Sequence, residues 1–285
     1  MKFSTESYTV SGDSYSRMSD GDITVVTPSY EQADYLGDNL QSVMNQSGMP
    51  VEHIVIDGGS TDETVEILES YEDQYNLKWI SEPDNGQSEA INKGIEMATG
   101  EWIYWVNSDD YLLDGAISRF AEHITAHPSS DVIYGDFFFV DADGNEVGRK
   151  YNTNPSEFVH KHYYQFTGNH CTLIRQSVFE EVGMLNEDLD YTMDTEFFWR
   201  ILRADLELVR INEFFGARRL HEGAKTTGEP SGERQAEIKG LRNSYPASPI
   251  ETILPQKLLT AIAFSLQALY HVSNGRPNAV RHMNL

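Results

Sequence analysis

Trp102-Ile103-Tyr104-Trp105-Val106-Asn107-Ser108-Asp109-Asp110 is five apolar residues running straight into an amide, a hydroxyl and two carboxylates. A segment apolar on both faces suits a strand covered by helices above and below, which is the setting of a parallel sheet. Upstream the same pattern repeats three times. Residues 23–27 form a β-branched run ending in Pro28-Ser29-Tyr30-Glu31, residues 51–56 end in Asp57-Gly58-Gly59-Ser60, and residues 77–80 end in Glu82-Pro83-Asp84. Between these runs apolar residues recur at helical spacing: Leu36, Leu40, Val43 and Met44, then Val65, Ile67 and Leu68, then the segment 88–98. Ser60 or Thr61 is placed to cap the second of these helices. The alternation predicts an α/β fold, a Rossmann-like and mostly parallel sheet flanked by helices. Ligands of such sheets lie beyond the carboxyl ends of the strands, so the four polar clusters converge on one rim.

The second half is mixed. Residues 131–140 and 146–151 read as a hairpin around Asp141-Ala142-Asp143-Gly144, with further strands at 172–174, 206–211 and 214–220 and a helix at 194–202. The stretch 223–232 is rich in Gly, Thr and Glu and reads as a mobile loop, and 250–272 reads as one amphipathic helix. The first 21 residues are rich in Ser, Asp, Gly and Tyr without period, which predicts a tail.

The chain of 285 residues carries 45 acidic and 21 basic side chains, a formal charge of −24. That balance argues against nucleic acid as a partner and against docking on anionic lipid through a broad basic face. It leaves room for a nucleotide in a local pocket, particularly with a divalent cation. Cys171 is the single cysteine, which excludes an intramolecular disulfide and a cysteine-based zinc cluster. It reads as a buried structural thiol. The start of the chain lacks the apolar core of a secretory signal, and the longest apolar candidate, 258–270, is broken by Thr260, Ser265 and Gln267. The expected location is cytoplasmic.

Asn107-Ser108-Asp109-Asp110 closes a buried strand, where carboxylates are costly without a cation or donors nearby. Oxygen ligands of this kind suit Mg²⁺ or Mn²⁺, which can bridge a diphosphate. The competing reading is a turn and cap before a helix near Asp114. Likewise Asp57-Gly58-Gly59-Ser60-Thr61-Asp62 is either a close-approach turn for a ligand or only a tight turn. It is neither G-x-G-x-x-G nor a Walker loop.

Taken jointly the motifs discriminate better. Residues 25–31 (VVTPSYE), 54–62 (IVIDGGSTD), 84–94 (DNGQSEAINKG) and 105–110 (WVNSDD) closely resemble the nucleotide-binding half of family 2 glycosyltransferases, in order and spacing. Downstream, Asn169-His170, Gly183, residues 191–200 (YTMDTEFFWR) and Arg219-Leu220-His221 resemble the family's acceptor side. The resemblance implies the GT-A fold over 22–225, with a nucleotide-sugar half (22–115) and an acceptor half (116–225). A flexible tail (1–21) and a C-terminal helical extension (226–285) flank it.

The resemblance also implies roles. Thr27, Pro28, Tyr30 and Glu31 would hold base and ribose. Asp57 would meet the base, although the acid that often follows it is Gly58 here. Asp84 and Lys93 would line the nucleotide. Asn107, Ser108 and Asp109 occupy the Asp-x-Asp position with Asn for the first acid, so Asp109 is the expected metal ligand and Asp110 its substitute. His221 would reach the metal or the diphosphate, flanked by Arg218, Arg219 and Lys225. Asp194 matches the catalytic base, preceded by Met193 where the family usually has Glu; the competing reading is a helix N-cap. His170, Arg200 and Arg219 are candidates for acceptor or phosphate contact, with a surface ion pair the common alternative for Arg200. Trp102, Trp105 and Trp199 could stack on sugar or base, with at least one of the first two in the core.

The resulting expectation is an inverting, metal-dependent glycosyltransferase using Mn²⁺ or Mg²⁺. It would take a nucleotide-diphosphate sugar, most simply a UDP-sugar, and a glycan or lipid-linked acceptor. The alternative is a catalytically impaired nucleotide-sugar-binding protein on the same fold. The C-terminal helix has three fates open to it: core packing, homodimer contact, or peripheral association with the inner face of the membrane.

Overall fold

A computed structural model describes residues 22–47, 51–163, 166–225, 231–246, 249–276 and 279. The N-terminal tail and the middle of the 223–232 stretch lie outside these residues. Nine strands form one sheet in the order β3-β2-β1-β4-β8-β6-β9-β5, with β7 paired to β6. The first four follow the sequence pattern: β1 (Ile23–Ser29), β2 (Val51–Asp57), β3 (Leu77–Ser81) and β4 (Trp102–Trp105) are mutually parallel. Between them run α1 (Ala33–Met44), α2 (Thr64–Tyr71) and α3 (Gln87–Met97). Leu36, Leu40 and Val55 close one side of this half, and Val26, Ile56, Ile91 and Ile95 the other. Burial on both faces is why these strands are apolar without alternation.

Beyond β4 the sheet becomes mixed. β8 (Thr172–Arg175) enters antiparallel between β4 and β6 (Val132–Val140), and β9 (Leu208–Arg219) then runs parallel to β6. The parallel expectation thus holds for the nucleotide half and not for the whole sheet. β5 (Tyr111–Leu112) pairs with the end of β9, and β7 (Glu146–Lys150) completes the expected hairpin, with Gly144 at φ 80° in its turn. The two strands expected at 206–211 and 214–220 are one strand whose register slips opposite Gly135. A Cβ at Gly135 would lie 2.4 Å from the Phe215 ring, so only glycine admits this bulge.

Several local expectations change. α2 is not capped by Ser60 or Thr61; Glu63 takes the cap position, and Asp62 accepts from Thr64 N–H. α4 (Ala116–Ala126) starts after Gly115, with β5 intervening, so Asp109 and Asp110 are not its cap. The C-terminal helix is shorter than expected: residues 249–252 form a 3₁₀ turn and the α-helix over Gln256–Ser273 (α9) begins after Pro255, whose ring is tolerated only at a helix start. α9 packs on α5 (Glu157–His162) through Leu259 and Ala263. Its other face leaves Leu258, Leu266, Leu269 and Val272 exposed. Arg276, just beyond it, bonds the buried Asp136 of β6, which Arg210 also pairs. Two further helices, α6 (Gln176–Val182) and α7 (Met193–Arg203), follow β8, and α8 (Gly232–Ser244) lies in the C-terminal segment. Among the described residues no helix is long and apolar enough to cross a membrane.

Candidate active site

The carboxyl ends of β1, β2, β3 and β4 meet, as expected, at one cavity of about 1200 Å³. Pro28, Tyr30, Glu31, Gly58, Asp84, Asn107, Ser108, Asp109 and Asp110 line it from the nucleotide half. His170, Asp194, Arg219 and His221 line it from the other half. Tyr30 is 60% exposed, a ring face available for stacking. Glu31 beside it has φ 53°, an uncommon conformation for a residue with a side chain. It is held there by its N–H to Ser60 Oγ at 2.7 Å and by Thr61 N–H to its own carboxylate at 2.9 Å.

Four expected residues do not present their side chains to the cavity. Thr27 is fully buried and hydrogen-bonded to His53 Nε2 at 2.9 Å, which in turn meets the Tyr75 hydroxyl. Asp57 is fully buried; its carboxylate accepts from Gly59 N–H, Ser60 N–H and the hydroxyls of Ser60 and Ser81, and so braces the turn itself. Lys93 points away to an ion pair with Glu82. Arg200 is engaged by Glu196 and by the carbonyls of Val182, Gly183 and Met184, where it closes the end of α6. The vacated place at the second turn is taken by Asp84. A Cβ on Gly58 would stand 2.8 Å from Asp84 Oδ2, so the glycine lets that carboxylate approach. Burial raises the Asp84 pKa, opposed by the Gly86 N–H it accepts at 2.9 Å.

Asp109 and Asp110 divide their tasks. Asp109 Oδ2 accepts from His221 Nε2 at 3.0 Å, and the His221 ring packs on Tyr35 at 4.4 Å. Asp110 is nearly inaccessible: its Oδ1 accepts Arg219 N–H at 2.9 Å and its Oδ2 lies 3.7 Å from His170 Nδ1. Burial, then the charge of Asp109, push the Asp110 carboxyl well above the usual carboxylate range. Burial pushes the His170 imidazole well below its ordinary value, and its Nε2 has no partner among the described residues. Arg219 reaches the cavity wall, but its guanidinium binds Asp38 and the carbonyls of Asp109 and Ala142. It is a strap between β9 and the Asp109 turn rather than a free phosphate ligand.

Among the described residues no cluster of three or more metal-type ligands occurs. The carboxylate of Asp109 fits a divalent ion whose other positions are filled by phosphate oxygens and water, the usual arrangement for Mg²⁺ at nucleotides, and the His221 imidazole 3.0 Å away could add a nitrogen ligand. Asp110 does not fit that role.

Asp194 sits in the first turn of α7 without capping it. Its Oδ1 accepts Thr195 N–H at 2.6 Å, while the cap position belongs to Thr192, whose side chain makes no cap bond. The turn that enters α7 is braced by Glu237 of α8. Its carboxylate accepts from the N–H groups of Asp190, Tyr191 and Thr192 at 3.2, 2.8 and 2.6 Å and from the Thr192 hydroxyl at 2.8 Å. Burial alone would raise the Glu237 pKa, but the Thr192 hydroxyl and these three N–H groups hold it below the ordinary value. α8 also brings Arg242 to the cavity, followed by Tyr245. None of these residues stands out in the sequence, because α8 buries no residue and shows no apolar stripe.

The fold is that of the GT-A glycosyltransferases. Residues 24–183, more than half of the chain, match glycosyl transferase family 2, and the chain belongs to that family. It is 33% identical over 116 residues to a PGL/p-HBAD biosynthesis glycosyltransferase of Mycobacterium bovis, covering 40% of this chain and 45% of that protein. It is 26% identical over 193 residues to an uncharacterized glycosyltransferase of Rickettsia typhi, covering 64% and 58%. The chain thus spans about half the length of the curated relatives it matches. Its fold is similar to S. aureus TarS solved with UDP-GlcNAc (TM-score 0.63, 20% identity, 89% of this chain and 74% of that one). It is also similar to the mannosyltransferase PcManGT of Pyrobaculum calidifontis solved with GDP-Man and Mn²⁺ (TM-score 0.58, 13% identity, 92% and 84%).

Proposed function

We propose that the chain is an inverting glycosyltransferase that moves a sugar from a nucleotide-diphosphate sugar, a UDP-sugar first, to a hydroxyl of a glycan or lipid-linked acceptor. The observation that carries this reading is that Asp194 and the Asp109–His221 pair line one cavity with the strand ends of the nucleotide half. Tyr30, Gly58 and Asp84 would enclose base and ribose. Asp194, oriented through Thr195, would take the proton of the acceptor hydroxyl as its oxygen bonds to the anomeric carbon. The bond from that carbon to the diphosphate breaks on the opposite face, and the configuration inverts. Asp109 and His221 would hold Mn²⁺ or Mg²⁺, which when bound neutralises charge on the departing diphosphate.

Slow hydrolysis of UDP-sugars with Mn²⁺ present tests the donor side without an acceptor. Asp194→Asn should lower turnover by about 10²–10⁴, the usual worth of a general base, and leave UDP affinity nearly unchanged. Equal turnover would remove Asp194 from that role. Asp109→Ala should weaken UDP binding in Mn²⁺ and not in its absence, read by calorimetry; no change would move the ion elsewhere. The bond of Asn107 Oδ1 to Trp105 and Gln87 supports a second reading, a nucleotide-sugar-binding protein without turnover, because this position adds no charge to the cavity. Binding without hydrolysis of any donor would favour it.

A further inference from the structure

On the wall of the cavity built by α5 and the end of α8, two polar groups lack hydrogen-bond partners among the described residues, and a guanidinium stands beside them. Tyr245 is 6% exposed and its hydroxyl is buried and unbonded. His160 is 4% exposed; its Nε2 donates to the Thr195 carbonyl at 2.9 Å, which fixes the tautomer and leaves Nδ1 a buried acceptor with no donor. Arg242 lines the cavity with no ion pair to a carboxylate among the described residues; burial pulls its pKa below the ordinary value, opposed by the neighbouring Tyr245. A half-buried guanidinium of this kind is placed to meet an anion entering the cavity.

Tyr245 and His160 are held in place by their neighbours. Tyr245 stacks on Trp199 of α7 at 3.8 Å, and its ring lies 6.4 Å from that of His160. Lys161 clamps the chain just after α8, binding the Tyr245 and Pro246 carbonyls and the Glu251 carboxylate. Thr195, whose carbonyl His160 holds, also anchors Asp194, so this wall is contiguous with Asp194. The charge balance is local as well: six basic and seven acidic side chains line the cavity, against 21 and 45 in the chain.

We propose that this wall is an acceptor subsite for an anionic group, a phosphate or a carboxylate, carried by the acceptor beside its reacting hydroxyl. The proposal rests on the glycosyl-transfer reading for the word acceptor. Arg242 meets the anion as a planar fork. Tyr245 and His160, which also line the cavity, form the wall beside it.

Calorimetric titration of the full chain with glucose 6-phosphate, glucuronate and glucose tests it, with and without saturating UDP and Mn²⁺, which keep phosphate from the donor side. Both or either of the anions should bind more tightly than glucose by about tenfold, and Arg242→Ala should remove that advantage. Arg242→Lys should recover part of it, and Arg242→Gln repeats the test with most of the stem retained should the alanine variant fold poorly. A preference for one anion names phosphate or carboxylate as the source. Equal binding of glucose, no measurable binding of either anion, or anion binding unchanged in the Arg242 variants would overturn the subsite. Failure of UDP to bind would count against the donor reading alone, since the titrations without UDP still report on Arg242.

Discussion

Asn107 is oriented by a neighbour that can only donate. The atom 2.9 Å from the Trp105 indole nitrogen must be the amide oxygen, and the same oxygen accepts from Gln87 at 3.0 Å. The amide nitrogen is therefore the polar group Asn107 can offer to the cavity it lines. Asn107→Asp would keep an oxygen for Trp105 and Gln87 and place a second carboxylate oxygen near Asp109. We expect Mn²⁺ to bind the UDP complex more tightly, by about tenfold, since an added charge close to a cation is worth on the order of 1 kcal/mol or more. Titration of Mn²⁺ into the variant reads this, and an unchanged affinity would mean that position 107 does not face the ion. At this scale the sequence was legible for residue types and not for their partners. Asp109, His221 and Asp194 come together in the cavity, whereas Thr27, Asp57, Lys93, Arg200 and Arg219 bond to the protein itself. A side chain's type and position in the chain do not state which nearby carbonyl or hydroxyl competes for it.

Elements were legible where a periodic apolar face meets a layer. β1 to β4 and the helices between them follow from the pattern, because burial selects their residues one by one. The break read at Asn212-Glu213 is a bulge inside β9, permitted by a glycine on the neighbouring strand, and no local signal reports it. α8 was unreadable as a wall of the cavity because it contributes through polar side chains. Yet Glu237 ties it to α7 by four hydrogen bonds, a carboxylate at a helix N-terminus that also meets the positive end of the helix dipole. Glu237→Ala removes these hydrogen bonds to a charged group and should cost about 1.5–3 kcal/mol of stability. It should also lower kcat for donor hydrolysis more than it raises KM, because Asp194 loses its fixed turn. Glu237→Gln keeps one acceptor oxygen and should restore part of both. A fall in stability with kcat intact would limit Glu237 to a structural role.

Across the whole molecule, charge and protonation act together. The chain carries a surplus of acids, while the cavity itself is close to balanced. Burial holds His53 at about 3 and His160 at about 4, so both imidazoles are neutral in the fold. Unfolded, each would take up a proton near pH 6.5. Below that pH the unfolded chain binds more protons than the folded one, so stability falls as pH drops from about 6.5 towards 4. Urea unfolding should show a lower midpoint at about pH 5 than at about pH 7.5, and His160→Gln should flatten the slope. An unchanged wild-type midpoint would mean that these histidines accept protons without unfolding. The clamp from Glu237 to Thr192 also has a consequence in time, because it joins residues 45 apart in the chain. A ribosome adding about 5–20 residues per second needs roughly 2–9 seconds to make that interval. The strands that end at the cavity rim, and Asp194 itself, are synthesised before the group that braces the turn into α7, so that side of the cleft is completed only seconds after its rim has been made.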